Sequence, residues 1–415
     1  MQPDNSAITE LPAKERPWLF AFLIAPTAVV SLGLVEGALS YLFRREGVDP
    51  AHGSEILALL ALPHTIFFFW SPITDFWMKR RTWLIASAAA AAGAVAFAFH
   101  QPKISSAPSV ALLFLGYCLA LLACGSAGGL MGMLSSEVNR RRAGSFYQCG
   151  SLVFGGVAVL VLVSCSGQLS LGALGWIVAA MIALPAFVAL AAPKQSELDT
   201  HTVRETAVHI LREFKTTFLR WDAVPYTLLV MFPMCSGAMI GLLPGLAADF
   251  GVSGAEVAWV NGLLGTLLTA AGSLSAAAIP IRIRAPIAFL LAGLTNAGSL
   301  AVLAFGPMQP AIYFTGTVLY LFTIGCCYAL FTGVVLEFLG DSGKSGSARY
   351  AIINSLGNVP VAYMIFLDGR GYARWGARAM PATDAVLSIC GALLLLTYFV
   401  LRPKLARAVE TAQPQ

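Results

Sequence analysis

His64 to Trp83 reads HTIFFFWSPITDFWMKRRTW. An apolar run closes in Trp70-Ser71-Pro72, Asp75 follows, then Lys79, Arg80 and Arg81, and a new apolar run starts at Thr82. Two membrane helices joined by a very short charged turn account for this pattern. Three cations cannot rest in hydrocarbon, so the turn lies at a membrane face, and the Lys/Arg excess makes that face cytoplasmic. Asp75 is the unusual member. At the last turn of a helix a carboxylate meets the negative end of the backbone dipole, so it needs a partner, either a nearby arginine or the start of another helix.

The rest of the chain extends the same pattern. Of 415 residues, 58% are hydrophobic and 11% charged, against about 25% charged in a soluble domain. The apolar runs are continuous over about 20 residues, which predicts an all-α integral membrane protein and excludes a barrel. Twelve spans are expected, near residues 17–43, 55–76, 82–101, 108–136, 143–166, 170–192, 225–249, 255–280, 285–306, 309–338, 349–368 and 381–402. They divide into a cytoplasmic tail (1–16), a six-helix bundle (17–192), a cytoplasmic linker (193–224), a second six-helix bundle (225–402) and a second cytoplasmic tail (403–415). The first 16 residues are polar and carry no cleavable signal.

Charge tests the topology. With the N-terminus inside, only Arg44, Arg45, Lys103, Arg370, Arg374 and Arg378 of the 26 Lys and Arg fall in outside loops. That asymmetry supports both the span count and an orientation with both termini cytoplasmic, in the inner (plasma) membrane. The net charge of +5 reads as orientation signal rather than nucleic-acid binding. Eight cysteines lie mostly in apolar runs, and none forms a CxxC pair. Free thiols are expected, with no metal, disulfide framework or cofactor. In the linker, Val203, Ala207, Ile210, Leu211, Phe214, Phe218 and Trp221 recur every three to four residues, opposite Arg204, Arg212 and Lys215. This is an amphipathic helix suited to the membrane interface, or a strut joining two halves.

The halves echo each other. Lys79, Arg80 and Arg81 after the second span match Arg282 and Arg284 after the eighth; Glu137 with Arg140, Arg141 and Arg142 matches Glu337 with Arg349. Six plus six helices, a cytoplasmic mid-loop and an acid-and-base turn between helices two and three resemble the major facilitator superfamily. Leu42-Phe43-Arg44-Arg45-Glu46-Gly47, Trp70-Ser71-Pro72-Ile73-Thr74-Asp75, Arg80-Arg81-Thr82-Trp83 and Arg142 to Gly150 resemble its peptide–acetyl-coenzyme A transporter branch, which includes muropeptide, acetyl-coenzyme A and siderophore permeases. Phe76 stands where that branch usually has an arginine after the acid, so Asp75 must find its cation elsewhere. The resemblance implies two pseudo-symmetric bundles, a cavity lined by the first, fourth, seventh and tenth helices, and transport by alternating access.

Polar groups inside spans are costly, about 2.5–3.5 kcal/mol for a charge at the centre, so those that break apolar runs are the candidates. Glu36 reads either as a protonatable group in a wet cleft or as a structural partner of Arg44 or Arg45. His64 reads as a second proton carrier, a substrate contact or a packing residue. Gln148, Asn261, Asn354 and Asn358 carry amides that need partners. The cavity face implied by the resemblance adds Tyr117, Met231, Met234, Tyr320 and Tyr328, the last two eight residues apart and placed on one side of the tenth helix. Asp75, Arg80, Arg81, Glu137, Arg140, Arg141, Arg142, Glu337 and Arg349 are expected to form contacts at the cytoplasmic gate. No Lys or Arg lies deep in any span, which argues against a polyanionic substrate.

The leading expectation is a proton-coupled secondary transporter for a small peptide-like, muropeptide-like or siderophore-like solute, monomeric among membrane lipids. The alternatives are a membrane enzyme acting on lipid or acyl groups, or a sensor that kept the fold without flux. No P-loop, HExxH or GxSxG motif and no pair of intramembrane aspartates is apparent, so an enzyme is not expected.

Overall fold

The computed structural model describes residues 15–134, 137–192, scattered positions between 205 and 219, 223–279, 282–339, 352–353 and 355–412, and among them there is no strand. The first half comprises α1 (Pro17–Arg45), α2 (Pro50–Phe69), α3 (Arg80–Phe99), α4 (Ala107–Gly132), α5 (Glu137–Cys165) and α6 (Leu171–Ala191). The second comprises α7, in two pieces (Val224–Met231 and Ala238–Leu246), α8 (Gly254–Ser275), α9 (Ala285–Phe305), α10 (Pro310–Leu339), α11 (Val359–Trp375) and α12 (Ala379–Ala412). Among the described residues, ten helices are long and apolar enough to cross a membrane. The two others are α7, which is cut, and α11, which carries Asp368, Arg370 and Arg374 in 17 residues.

Local chemistry sets the boundaries. Proline occupies the first turn of α1, α2, α4, α7, α9 and α11, where its missing N–H costs nothing. Asp49 caps α2 by accepting from Ala51 N at 3.1 Å. Ser253 and Glu256 form a reciprocal capping box at the start of α8. The expected span 55–76 is shorter as an α-helix: Pro63 lies inside α2, and beyond Thr65 the backbone tightens into single turns at Phe67–Phe69 and Ser71–Asp75. Trp83 Nε1 then donates to the Phe76 carbonyl at 2.7 Å and fastens the charged turn. Glu46 accepts from Ile104 N at 2.7 Å and from Ser105 Oγ at 2.9 Å, so the loop before α4 is pinned to the end of α1.

Two irregularities bear on the site. The seventh span breaks between Met231 and Ala238. Pro233 has no N–H to continue the ladder, Cys235 has φ 52° and Gly237 φ 81°. Ser236 Oγ accepts from Ala238 N at 3.2 Å and caps the second piece. Elsewhere, Val29–Ala38 in α1 and Ala258–Leu264 in α8 are wound as π-helix, a geometry that concentrates at functional positions.

Within the first half, α3 packs on α4 and α6, and α1 on α5. Within the second, α10 packs on α8 and α9, and α12 on α9 and α11. The halves meet along α1–α7, α2–α11 and α5–α8. Small residues let these backbones approach. A Cβ on Gly262 would stand 3.2 Å from the Gly156 carbonyl oxygen, one on Gly245 would stand 3.1 Å from Ser40 Cβ, and Gly369 lies on Ser54. The linker bridges the opposite end. Phe214 stacks on Phe68 of α2 at 6.4 Å and on Phe218 at 5.2 Å, and Phe218 meets Phe338 of α10 at 5.8 Å. Through these rings the linker touches both halves.

Candidate functional site

A narrow cleft lies on the seam between the halves. α1 contributes Glu36, α2 His64 and α4 Tyr117; the second half contributes Asn358, Gly237 and Gly241, and the remaining lining is aliphatic. Glu36 projects from the π-wound stretch, and a Cβ on Gly241 of α7 would stand 3.5 Å from its carbonyl oxygen. Among the described residues no hydrogen-bond donor or cation reaches the Glu36 carboxylate. Arg44, one of its two expected partners, instead pairs with Asp249 at 2.7 Å. Tyr117 Oη and His64 Nδ1 are 3.3 Å apart, with the rings edge to face at 6.2 Å. The cleft therefore holds one carboxyl, one imidazole and one phenol in an otherwise apolar wall, with no Lys or Arg in its lining. Such a wall suits a small organic molecule, and its three polar groups can bind, orient or exchange a proton with it.

The other expected substrate residues divide. Tyr328 is 40% exposed, and its hydroxyl rests against Gly237 at the α7 break. Tyr320 is 1% exposed and packed inside the second half, so the two tyrosines do not share a face. Eight residues at 3.6 per turn leave them about 80° apart around the helix. Asn261 also stands away from the cleft: its Nδ2 donates to Tyr313 Oη at 2.8 Å, which donates in turn to the Leu243 carbonyl at 3.1 Å. Met234 is buried beside Gly293. Met231 ends the first piece of α7, where its carbonyl accepts from Tyr363 Oη at 2.8 Å. Gln148 is exposed on α5. Asn354 lies outside the described residues.

The expected gate is partly described. Arg80 lies across Gly129 of α4, where a Cβ would come 2.6 Å from its Cδ. Arg81 Nε is buried without an acceptor among the described residues, and Arg142 is exposed. Among the described residues, Glu337 makes its contacts within its own half. It accepts from Arg284 at 2.7 Å and from Tyr226 Oη at 2.7 Å, which ties together the ends of α7, α9 and α10. The hydrogen bond from Glu337 holds the Arg284 guanidinium above its usual range. The side chains of Asp75, Glu137, Arg140 and Arg141, and Arg349 entirely, lie outside the described residues.

Sequence reasoning missed three things. Asp249, at the end of α7, takes Arg44 from α1 and Tyr372 Oη from α11 at 3.3 Å, while Glu55 of α2 meets Arg370 of α11 at 3.2 Å. These pairs join the halves at one end. The break in α7 was the second. The third is a pair of buried aspartates, Asp368 of α11 and Asp384 of α12, which corrects the expectation that no intramembrane pair exists. Both lie near span ends as drawn from hydropathy, where carboxylates draw no notice.

No family model and no curated relative matches the chain. Solved structures do. The nucleoside transporter NupG superposes with a TM-score of 0.70 at 12% identity, over 92% of this chain and 98% of that one. A peptide transporter POT in complex with sulfate gives 0.68 at 14%, over 94% and 95%. A D-xylose-proton symporter gives 0.67 at 17%, over 91% and 95%. Identities this low speak for the architecture alone. The likeness spans nearly the whole of each chain and agrees with two helical halves meeting at a seam: this chain has the major facilitator fold, all-α and membrane-embedded.

Proposed function

We propose that the chain is a secondary transporter that moves a small organic solute across the inner membrane by alternating access, coupled to protons. The observation that carries this reading is the cleft itself, open to both halves and holding Glu36, His64, Tyr117 and Asn358. A site on the seam is the one place whose exposure changes when two rigid halves rock. The bundles here are joined at the Arg44–Asp249 end. With the Lys/Arg-rich segments on the cytoplasmic side, that end faces outside and this state faces the cytoplasm.

The lining supports a solute of low negative charge. A polyphosphate such as acetyl-coenzyme A would meet a carboxyl and no cation, so within the branch that the sequence resembles, a muropeptide-like, peptide-like or siderophore-like cargo fits better. The structural neighbours named above carry nucleosides, a sugar and peptides by their own names, in keeping with small-molecule traffic. Coupling follows from a carboxyl that must lose its charge when water leaves the cleft, with His64 and Tyr117 close enough to relay a proton.

Uptake by proteoliposomes tests this. Accumulation is expected to collapse with an uncoupler, and Glu36→Gln is expected to keep substrate counterflow while losing gradient-driven accumulation. Undiminished accumulation without a proton gradient would remove the coupling. A thermal-shift screen across muropeptides, siderophores, short peptides and acyl-coenzyme A tests the charge argument, and a strong polyanion hit would overturn it.

A further inference from the structure

Outside the cleft, the most demanding chemistry is the carboxyl pair between α11 and α12. Asp368 is 0% exposed and Asp384 3%. They stand about 10 Å and about 7 Å along their helices from the loop that joins them, and their carboxyls are within hydrogen-bonding reach of each other. Among the described residues no Lys, Arg or His faces either. Arg370, two positions on, points elsewhere and pairs with Glu55 at 3.2 Å. The titratable groups that do face the pair are neutral: Tyr320 from α10, Tyr363 from the preceding turns of α11 and Cys235 from the α7 break.

A count of hydrogens exposes a deficit. Asp368 Oδ1 and Oδ2 and Asp384 Oδ2 have no donor. Ser388, one turn after Asp384, has a single hydroxyl hydrogen and faces two acceptors, the Pro233 carbonyl at 2.6 Å and Asp384 Oδ1 at 3.0 Å. It cannot donate to both. Two ionised carboxylates are acceptors only, and burying both charges without a counter-ion is prohibitive. Each shortfall takes one added proton. One between the two carboxyls makes their contact a hydrogen bond; one on Asp384 Oδ1 donates to Ser388 Oγ, leaving Ser388 to donate to Pro233.

We propose that Asp368 and Asp384 together hold two protons, one shared between the carboxyls and one exchangeable on Asp384, and that Ser388 couples release of the exchangeable one to the break in α7. Pro233 is the residue at which α7 parts. While its carbonyl holds the Ser388 hydrogen, Asp384 must supply its own. When α7 moves and that carbonyl withdraws, Ser388 turns to Asp384, that carboxylate gains a donor, and the exchangeable proton leaves to water while the shared one stays between the carboxyls, so a single charge is left on the pair. The step is proton transfer alone: one carboxyl O–H breaks, one water O–H forms, and nothing is oxidised. The pair is thus a second proton site, in the half of the molecule opposite Glu36; its part in transport rests on the reading above, whereas its proton does not.

Infrared difference titration of the reconstituted protein, without substrate, decides the proton directly. A protonated-carboxyl band is expected in the wild-type protein and in Glu36→Gln, and lost in Asp368→Asn/Asp384→Asn. The same band in that double variant, or none in the wild type, overturns the proposal. Ser388→Ala, which leaves both acids in place, serves if the double variant does not fold. It is expected to move the midpoint of the band, and an unmoved midpoint overturns the link to α7. In proteoliposomes, Asp384→Asn is expected to retain counterflow and lose pH-driven accumulation; full accumulation would remove the pair from coupling. Absence of counterflow in the wild type would fell the transport reading and leave the infrared result standing.

Discussion

Tyr117 and His64 show how much a single contact carries. Among the described residues, their 3.3 Å approach is the one side-chain hydrogen bond that orients the imidazole. Tyr117→Phe is expected to cost about 1 kcal/mol, the net worth of one hydrogen bond, read as a roughly fivefold rise in half-saturating substrate; an unchanged value would show that His64 is held by packing alone. Glu36 and His64 were legible in sequence because a polar group that breaks an apolar run has few other reasons to be there. Asn261 and Tyr320 were legible as polar but not as placed. Periodicity gives a face of a helix, and only packing says that the face of Asn261 meets Tyr313. Asp368 and Asp384 escaped because the ends of spans tolerate carboxylates.

α7 is the element on which the cleft, the tyrosine and the aspartate pair converge. Its break was readable in principle from Pro233 and Gly237, but the apolar run across them is unbroken and hydropathy alone draws one span. Gly237 sits at φ 81° with the Tyr328 hydroxyl against it. Gly237→Ala is expected to destabilise the protein by about 1–3 kcal/mol from the backbone alone, with a further steric cost against Tyr328, measured by thermal unfolding in detergent. Tyr328→Ala in the same chain is expected to restore the steric part and leave the backbone part. Simple additivity of the two changes would show that the tyrosine does not abut the break.

The whole molecule is two halves, joined in this structure at the Arg44–Asp249 end. The all-helical membrane architecture was legible, since the length and apolarity of each run depend on composition. The end that is joined was not, because Arg44 meets Asp249 205 residues away and nothing local marks either. With side chains 31% and 17% exposed, that pair is worth at most about 1 kcal/mol. Asp249→Asn is expected to shift the population toward the opposite state by up to about fivefold, read as faster labelling, from outside, of a cysteine introduced at Leu57. A wedge at the α5–α8 seam, Gly156→Leu, is expected to shift it further, since that glycine abuts Gly262 and Thr266. If neither change alters labelling, the Arg44 end is not what holds this state. The aromatic chain Phe68–Phe214–Phe218–Phe338 has its own implication at this scale. It ties both halves together at the far end, so under the proposed rocking of the halves a doorway there can widen only until the rings are pulled taut. The tether then acts as a gauge: any cargo too broad for that doorway must unseat a phenylalanine to leave, and trimming Phe214 or Phe218 would enlarge the range of molecules let through while slowing the return stroke.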